Sequence, residues 1–568
     1  MLTEVSKKRG FSILAFLLYG LVYLFYTYPL GLNFATKFMG IPLYGDSTSY
    51  IWSIWHFKYA LGQGLNPFET QMLFSPMGSS ILMHSSVPIA GILNLVIDRP
   101  ILTMNLVLLL SFAFSGLGVF NLLRYFKVNL YLSLVGGFIY AFFPYKTAHL
   151  PEHFNLELTA LIPFFVFYIL KTFRFEPGKL VPILVSKKYL LVLVVLSFLS
   201  LLTDHYYSVY VFYFGLLYCF LNWTYPRFAA LSAKKGVLLL LIVFIVGHFL
   251  IRGLILLNFD DKGALWWSAD VASLFVPNTS SWLYGDYAGV QAFRDHYFRY
   301  PQSVEFVMFL GYGFFALLLL FFLKINQLRI DYSMRLMGIA SVIFLLLCFP
   351  EFKILGHRLF YNVFGLVYYV PFLNNVRTPP RYELMFMVLF LPVLMKQLSV
   401  MWYSIANKRI MIAASLFLVV EYCPQSFAFM DSQKMPMVYK TLSTKPTGPM
   451  LPIPFGFRDG IKEIGKFNTD DFLYQTVHQK PIIGGYLSRL SEANFDQYKR
   501  NPTIEQMYQL MKDSSALKPK LNSFNLPVKY IVVKPNYIKQ FEPYLDSAAC
   551  NQISSKKSVD GYLLYELN

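Results

Sequence analysis

The stretch Tyr44-Gly-Asp-Ser-Thr-Ser-Tyr-Ile-Trp-Ser-Ile-Trp-His56 follows the first long apolar run of the chain and holds one acid, Asp46. Behind it Tyr50, Ile51, Ile54, Trp55 and Tyr59 recur at helical spacing. This predicts a helix at a membrane interface with a carboxylate at its N-terminal end and the Ser47 and Thr48 hydroxyls beside it. A carboxylate held where lipid meets water can take a proton from a substrate arriving along either phase. It can equally do no more than cap the helix.

Other residues capable of chemistry lie further on. His149 and His153 stand four apart around Glu152, a spacing that on a helix would present both imidazoles to a metal or a phosphate. Pro151 interrupts such a helix, and the pattern is not HExxH. Asp204 either orients His205 or ends its helix. Asp270 opens an apolar stretch after Trp266 and Trp267, whose indole faces suit either a sugar ring or a lipid-interface belt. Glu305 opens a further span ahead of Phe309-Leu-Gly-Tyr312. In Asn374-Asn-Val-Arg-Thr-Pro-Pro-Arg-Tyr-Glu383 the forks of Arg377 and Arg381 match a phosphate or pyrophosphate, or else snorkel to lipid headgroups.

The elements that must position these residues are apolar helices. The 568 residues are 56% hydrophobic, 18% aromatic and 14% charged, with mean hydropathy +0.48, a composition of multi-pass membrane proteins. A formal charge of +18 sits in short loops between apolar runs, which is topology rather than a nucleic-acid surface. Spans are expected near 11–30, 101–123, 129–143, 156–173, 189–203, 206–222, 236–257, 305–323, 334–350, 382–400 and 409–422, about eleven crossings. Residues 81–97, broken by His84, Ser85, Ser86 and Pro88, read as a short helix in or on the membrane. Lys7-Lys8-Arg9 before the first run marks a retained helix with its N-terminus inside. Alternate loops are then basic (Arg124 and Lys127; Lys171 to Lys188; Arg227 to Lys235; Lys324 to Arg335; Lys396 to Arg409). The acids and histidines named above fall on the outer side or at outer helix ends, and the outer loops include a first one of about 31–100 and a large one of about 258–304. Ionisable groups at lipid-facing helix ends are costly and mark function.

From 423 to 568 hydropathy falls, and a separate extracytoplasmic α/β domain of about 145 residues is expected. Pro449 to Pro454 and Lys529-Tyr-Ile-Val-Val-Lys534 read as strands, 501–513 as a helix, and Gly484-Gly485 as a tight turn. Four cysteines show no metal spacing and allow at most a bridge between Cys423 and Cys550. GxGxxG, P-loop and GxSxG patterns are missing, which argues against nucleotide use or serine hydrolysis.

The order of an acid after the first helix, Asn66-Pro-Phe68, Ser75-Pro-Met-Gly78, Ser268-Ala-Asp270, Glu305 with Leu310-Gly-Tyr312, Arg377-Thr-Pro-Pro-Arg381 and His478-Gln-Lys-Pro-Ile before Gly484-Gly485 resembles bacterial membrane proteins of the GT-C glycosyltransferase superfamily, YfhO-like families included. That resemblance implies an all-α polytopic domain over 1–422 and sugar transfer, with inversion, from a polyprenyl-phosphate donor to a glycan, lipid or protein acceptor. The reaction would face outward from a bacterial inner membrane. It implies Asp46 as the general base, with Arg377 and Arg381 on the donor phosphate. His149, Glu152, His153, Asp204, His205, Asp270 and Glu305 are secondary candidates. Many members of the superfamily carry two acids in the first loop, as DxD, ExD or DE, whereas Ser47 and Thr48 follow Asp46. A divalent metal is therefore not supported by a motif. The alternatives are a transporter or lipid flippase, against which the one-sided acids and the lack of an internal repeat speak, and a non-catalytic scaffold for envelope assembly.

Overall fold

The computed structural model describes residues 2–568 except 44, 83, 151, 259–262, 329, 371–375, 513–523 and 550. Tyr44, Pro151, Arg329, Asn374, Asn375 and Cys550 thus lie outside the described residues, and a Cys423–Cys550 bridge with them. Cys219, Cys348 and Cys423 carry free thiols.

The chain is mostly helical, and it is a multi-pass membrane protein. Among the described residues five helices, Arg9–Tyr26, Pro100–Tyr125, Phe154–Thr172, Ala233–Leu256 and Pro379–Met401, are long and apolar enough to cross a bilayer. Of the other expected spans, 206–222 lies within the 25-residue helix His205–Ala229, and several are shorter helices, such as Leu130–Phe142 and Tyr312–Leu323. At 1.5 Å per residue, twelve residues reach about 18 Å against a hydrocarbon core of about 30 Å. The span expected from 305 begins as a single 3₁₀ turn, Val304–Phe306, and becomes α-helical only at Tyr312. Gly311, with φ 95°, makes the turn between them. Glu421 then takes the first N–H groups of the helix, accepting from Tyr312 at 2.7 Å and Gly313 at 2.9 Å.

Two compact units are built from interleaved segments. One comprises Met1–Gly31, Val107–Leu150 and Leu156–Phe427; the other comprises Leu32–Leu106, Pro151–Asn155 and Ala428–Asn568. The sequence division at 422 differs from this. Residues from 428 on gather with residues 32–106, and strand Lys37–Met39 pairs antiparallel with Phe429–Asp431.

In the first, membrane-spanning unit, helices Tyr332–Leu347 and Glu383–Met401 pack along each other. The ring of Tyr19 fills the space that a Cβ at Gly116 or Gly137 would occupy, and its hydroxyl donates to the Leu134 carbonyl at 2.9 Å. Small residues allow such close approach where helices meet in lipid.

The second unit holds a four-stranded sheet in the order Ile553–Val559, Tyr562–Leu567, Tyr530–Val533, Met450–Ile453. Tyr530–Val533, a continuous apolar run, is fully buried between its neighbours. Pro452 is tolerated because its strand ends the row. A smaller sheet joins Glu463–Gly465, Gly456–Arg458 and Gly485–Tyr486, the last two running parallel. Helix Ser47–Gly62 lies against Pro88–Ile97 and Asp470–His478. Its residues from Ser47 to Ile54 are all buried, so it is a core helix of this unit and not one lying along a membrane surface. The fully buried Trp52 donates its indole N–H to Gln475 at 2.6 Å, and Gln475 in turn donates to the carbonyls of Met72 and Lys480 at 2.7 and 2.8 Å. A helix running Pro502–Lys512 matches the expected 501–513.

Candidate active site

Asp46 occupies the N-cap position of helix Ser47–Gly62, yet its side chain makes no capping hydrogen bond. Glu152 does that work instead. Its Oε2 accepts from the backbone N–H of Asp46 at 2.5 Å and of Ser47 at 3.4 Å, and its Oε1 accepts from Ile41 at 2.7 Å. A negative charge at this point is favoured by the helix dipole and the unpaired N–H groups. Gly45 makes room for it: a Cβ there would stand 2.6 and 2.7 Å from the two carboxylate oxygens.

The carboxylate of Asp46 is thereby left for other partners. The Tyr486 hydroxyl and the Arg458 guanidinium both lie near enough to favour its charged form. Strand pairing sets Arg458 opposite Tyr486, and the guanidinium rests on the Tyr486 ring 4.7 Å from its centre. Gly484 and Gly485, with φ of 92° and 150°, bring the backbone past Gly456 where a Cβ on Gly484 would meet a carbonyl at 2.5 Å. His84 stands edge-on to Tyr486 at 6.1 Å. Its Nδ1 accepts from the Ser488 N–H at 3.1 Å, and burial lowers the imidazole to about 4, so it is neutral at pH 7.

Burial dominates the acids. It lifts Asp46 to about 6, against the pull of Arg458 and Tyr486 in the other direction. It lifts Glu152 to about 7; the three N–H groups oppose this and the charge of Asp46 adds to it. Two carboxylates with raised and unequal affinities, one unburdened by capping, can hold and pass a proton near neutrality. The arginine beside them can stabilise an anion.

The remaining sequence candidates have other surroundings. Arg381 closes its fork on Glu305, with Nε to Oε2 at 3.1 Å and Nη2 to Oε1 at 2.5 Å, so its donors are directed to a carboxylate rather than left open to a phosphate. His149 ends helix Pro144–His149, turns Nδ1 to the Tyr145 carbonyl at 2.7 Å and places Nε2 3.6 Å from Glu305. His153 follows in a segment of the other unit, so no single helix carries both imidazoles. Among the described residues no group of three or more His, Cys, Asp or Glu is placed to hold a metal. Asp204 caps helix His205–Ala229 through the Tyr206 N–H at 2.7 Å, and His205 is exposed. Asp270 caps a 3₁₀ turn through Ala272 and accepts from Leu355 at 3.1 Å and Gly356 at 2.7 Å, a tie between loops. Arg377 is half-buried beside Gly263, with no ion pair among the described residues. Arg458, Tyr486 and His84 escaped the sequence reading; Gly484-Gly485 was the one signal that pointed toward them.

No protein-family model matches this chain, and no curated protein does. Among solved structures it is similar to the arabinofuranosyltransferase AftD from Mycobacteria, with 14% identity and TM-score 0.46 over 93% of this chain and 37% of that one. The chain thus spans little more than a third of that enzyme's length. It is similar also to the oligosaccharyltransferase of Archaeoglobus fulgidus, with 11% identity and TM-score 0.45 over 94% of this chain and 69% of that one. A second structure of that archaeal enzyme, in complex with an inhibitory peptide and a dolichol-phosphate, gives 9% identity and TM-score 0.42 over 99% and 74%.

Proposed function

We propose that this chain is a membrane glycosyltransferase of GT-C type that moves a sugar from a polyprenyl-phosphate donor to a hydroxyl-bearing envelope acceptor. The observation that carries the reading is the division of labour at the start of helix Ser47–Gly62. Glu152 takes the N–H groups of the helix, and the Asp46 carboxylate is free to face Arg458 and Tyr486. In the proposed step Asp46 accepts the acceptor's hydroxyl proton as that oxygen bonds to the anomeric carbon. The bond from that carbon to the phosphate oxygen breaks with inversion, and Arg458 meets the charge that develops on the departing phosphate. Glu152 supplies from a distant segment the second acid that the first loop lacks. Arg377 is a proposed ligand for a lipid-linked phosphate within the membrane unit, with Arg381 held in place by Glu305. The proposed setting is a bacterial inner membrane with about eleven crossings, some by short helices. The N-terminus lies in the cytoplasm, and the residues after 422 form an α/β region outside.

The test compares envelope glycans by mass spectrometry in wild type, deletion, and deletion complemented with Asp46→Asn. A sugar missing from the deletion and not restored by well-expressed Asp46→Asn is the expected result. Full restoration by that variant would overturn the catalytic assignment and bring the transporter and scaffold readings forward.

A further inference from the structure

The membrane-spanning unit contains a cavity of about 440 Å³ formed by the large outer loop and the hairpin Glu351–Ile354/His357–Tyr361. Its volume falls in the range of about 300–1,000 Å³ usual for small-molecule sites. Three cations line it, Arg299, Lys353 and Arg358, and two acids, Asp270 and Glu351. The acids are occupied. Both oxygens of Asp270 accept backbone N–H groups. Glu351 spans Arg358 at 3.1 Å and Lys353 at 3.4 Å, holding the two cations side by side. The serine hydroxyls are also engaged: Ser268 donates to the Glu351 carbonyl at 2.8 Å, and Ser273 to the Asp270 carbonyl at 2.5 Å. The lining thus carries three cations against two carboxylates, an excess of one positive charge.

Arg299 contributes to that charge. Its guanidinium carbon lies over the Trp266 ring, 3.0 Å from the centre, and no carboxylate pairs with it among the described residues. The floor is aromatic. Phe306 lines the cavity within a stack that includes Trp267 at 5.4 Å and Tyr300 at 5.9 Å. Flat rings beside fixed cations suit a ligand that has an apolar ring face and an anionic substituent. We propose that this cavity binds a saccharide bearing a carboxylate or phosphate group. The anion would be met by Lys353, Arg358 and Arg299, and the sugar ring would lie against Phe306. The inference is independent of the chemistry assigned to Asp46.

The experiment is saturation-transfer NMR on the full chain in a polyoxyethylene detergent, free of sugar headgroups, with glucuronate, glucose 6-phosphate, glucose and inorganic phosphate as probes. Glucuronate and glucose 6-phosphate are expected to bind saturably and at least tenfold more tightly than glucose or phosphate alone. Arg299→Gln and Lys353→Gln should each weaken the charged sugars about tenfold, whereas Asp46→Asn should leave them unchanged. If Lys353→Gln does not fold, Arg299→Gln, on an exposed side chain, gives the same reading. Equal binding of glucose would overturn the proposal by removing the role of charge. Equal binding of phosphate would overturn it by removing the role of the sugar. Displacement of the charged sugars by phosphatidylglycerol nanodiscs, and not by neutral ones, would assign the cavity to lipid headgroups and overturn it too.

Discussion

Replacing Arg458 by alanine removes the positive charge that holds the Asp46 carboxylate in check. Asp46 works as a base only when ionised, so the acid limb of the transfer rate should rise with pH about a midpoint near 6, the value to which burial lifts this group. An opposite charge within about 4–6 Å lowers a carboxylate by about 1–3 pH units. Arg458 faces Asp46 without a direct hydrogen bond, so the lower end applies, and Arg458→Ala should move the midpoint up by about one unit. The ionised fraction at pH 6.5 then falls from about three-quarters to about one-quarter, a roughly threefold loss of rate that closes almost completely by pH 8. Arg458→Lys should keep most of the wild-type midpoint. Glu152, lifted to about 7, is mostly protonated at that midpoint, so Glu152→Gln should leave the limb nearly in place. The assay is initial-rate transfer in proteoliposomes from pH 5 to 9, using the donor sugar identified from the glycan comparison. A uniform loss at every pH with an unmoved midpoint would refute the coupling and leave Arg458 acting on the substrate alone.

Gly45→Ala should destabilise the purified chain by about 2 kcal/mol, because its Cβ must dislodge at least one charge-assisted hydrogen bond of Glu152. The loss should shrink in a Glu152→Ala background, which a thermal-melt cycle would show. Glu305→Ala leaves the Arg381 guanidinium buried without its carboxylate and should cost about 3–5 kcal/mol. Adding Arg381→Met should recover much of that, and no recovery would contradict the ion-pair account. Asp46 and Glu152 both hold protons more tightly folded than unfolded. Their contribution to stability therefore falls as pH rises from about 4 through 7. The melting temperature should decline over that window in wild type and decline less in Asp46→Asn.

Apolar runs made the membrane class and most helix positions legible, because burial in lipid demands long stretches of one kind. The two strands at Met450–Ile453 and Tyr530–Val533 were legible for a similar reason, as apolar runs too short for a helix. Helix starts were read less well. Gly311 delays the helix expected from 305, a choice that depends on Glu421 arriving from over a hundred residues away. Asp46 stood out as an acid beside a helical pattern, but its freedom from capping was not visible. That freedom depends on Glu152, which drew notice only as a residue between two histidines. Arg458 and Tyr486 become neighbours through a parallel pairing of two very short strands, for which spacing along the chain gives no cue.

Strand Lys37–Met39 has its only named strand partner, among the described residues, in Phe429–Asp431. Some 390 residues separate the two, and at about 5–20 residues per second a ribosome needs on the order of 20–80 s to make them. Throughout that interval the segment 32–106 has left the ribosome without the strand, the glutamine and the arginine that complete its surroundings. Its backbone edge and its tryptophans are then open to wrong partners. Shortening the chain at its C-terminus is therefore not the trimming of an appendage. It strands the segment that bears Asp46, and the damage should register first as degradation of nascent protein rather than as an enzyme with a lower rate.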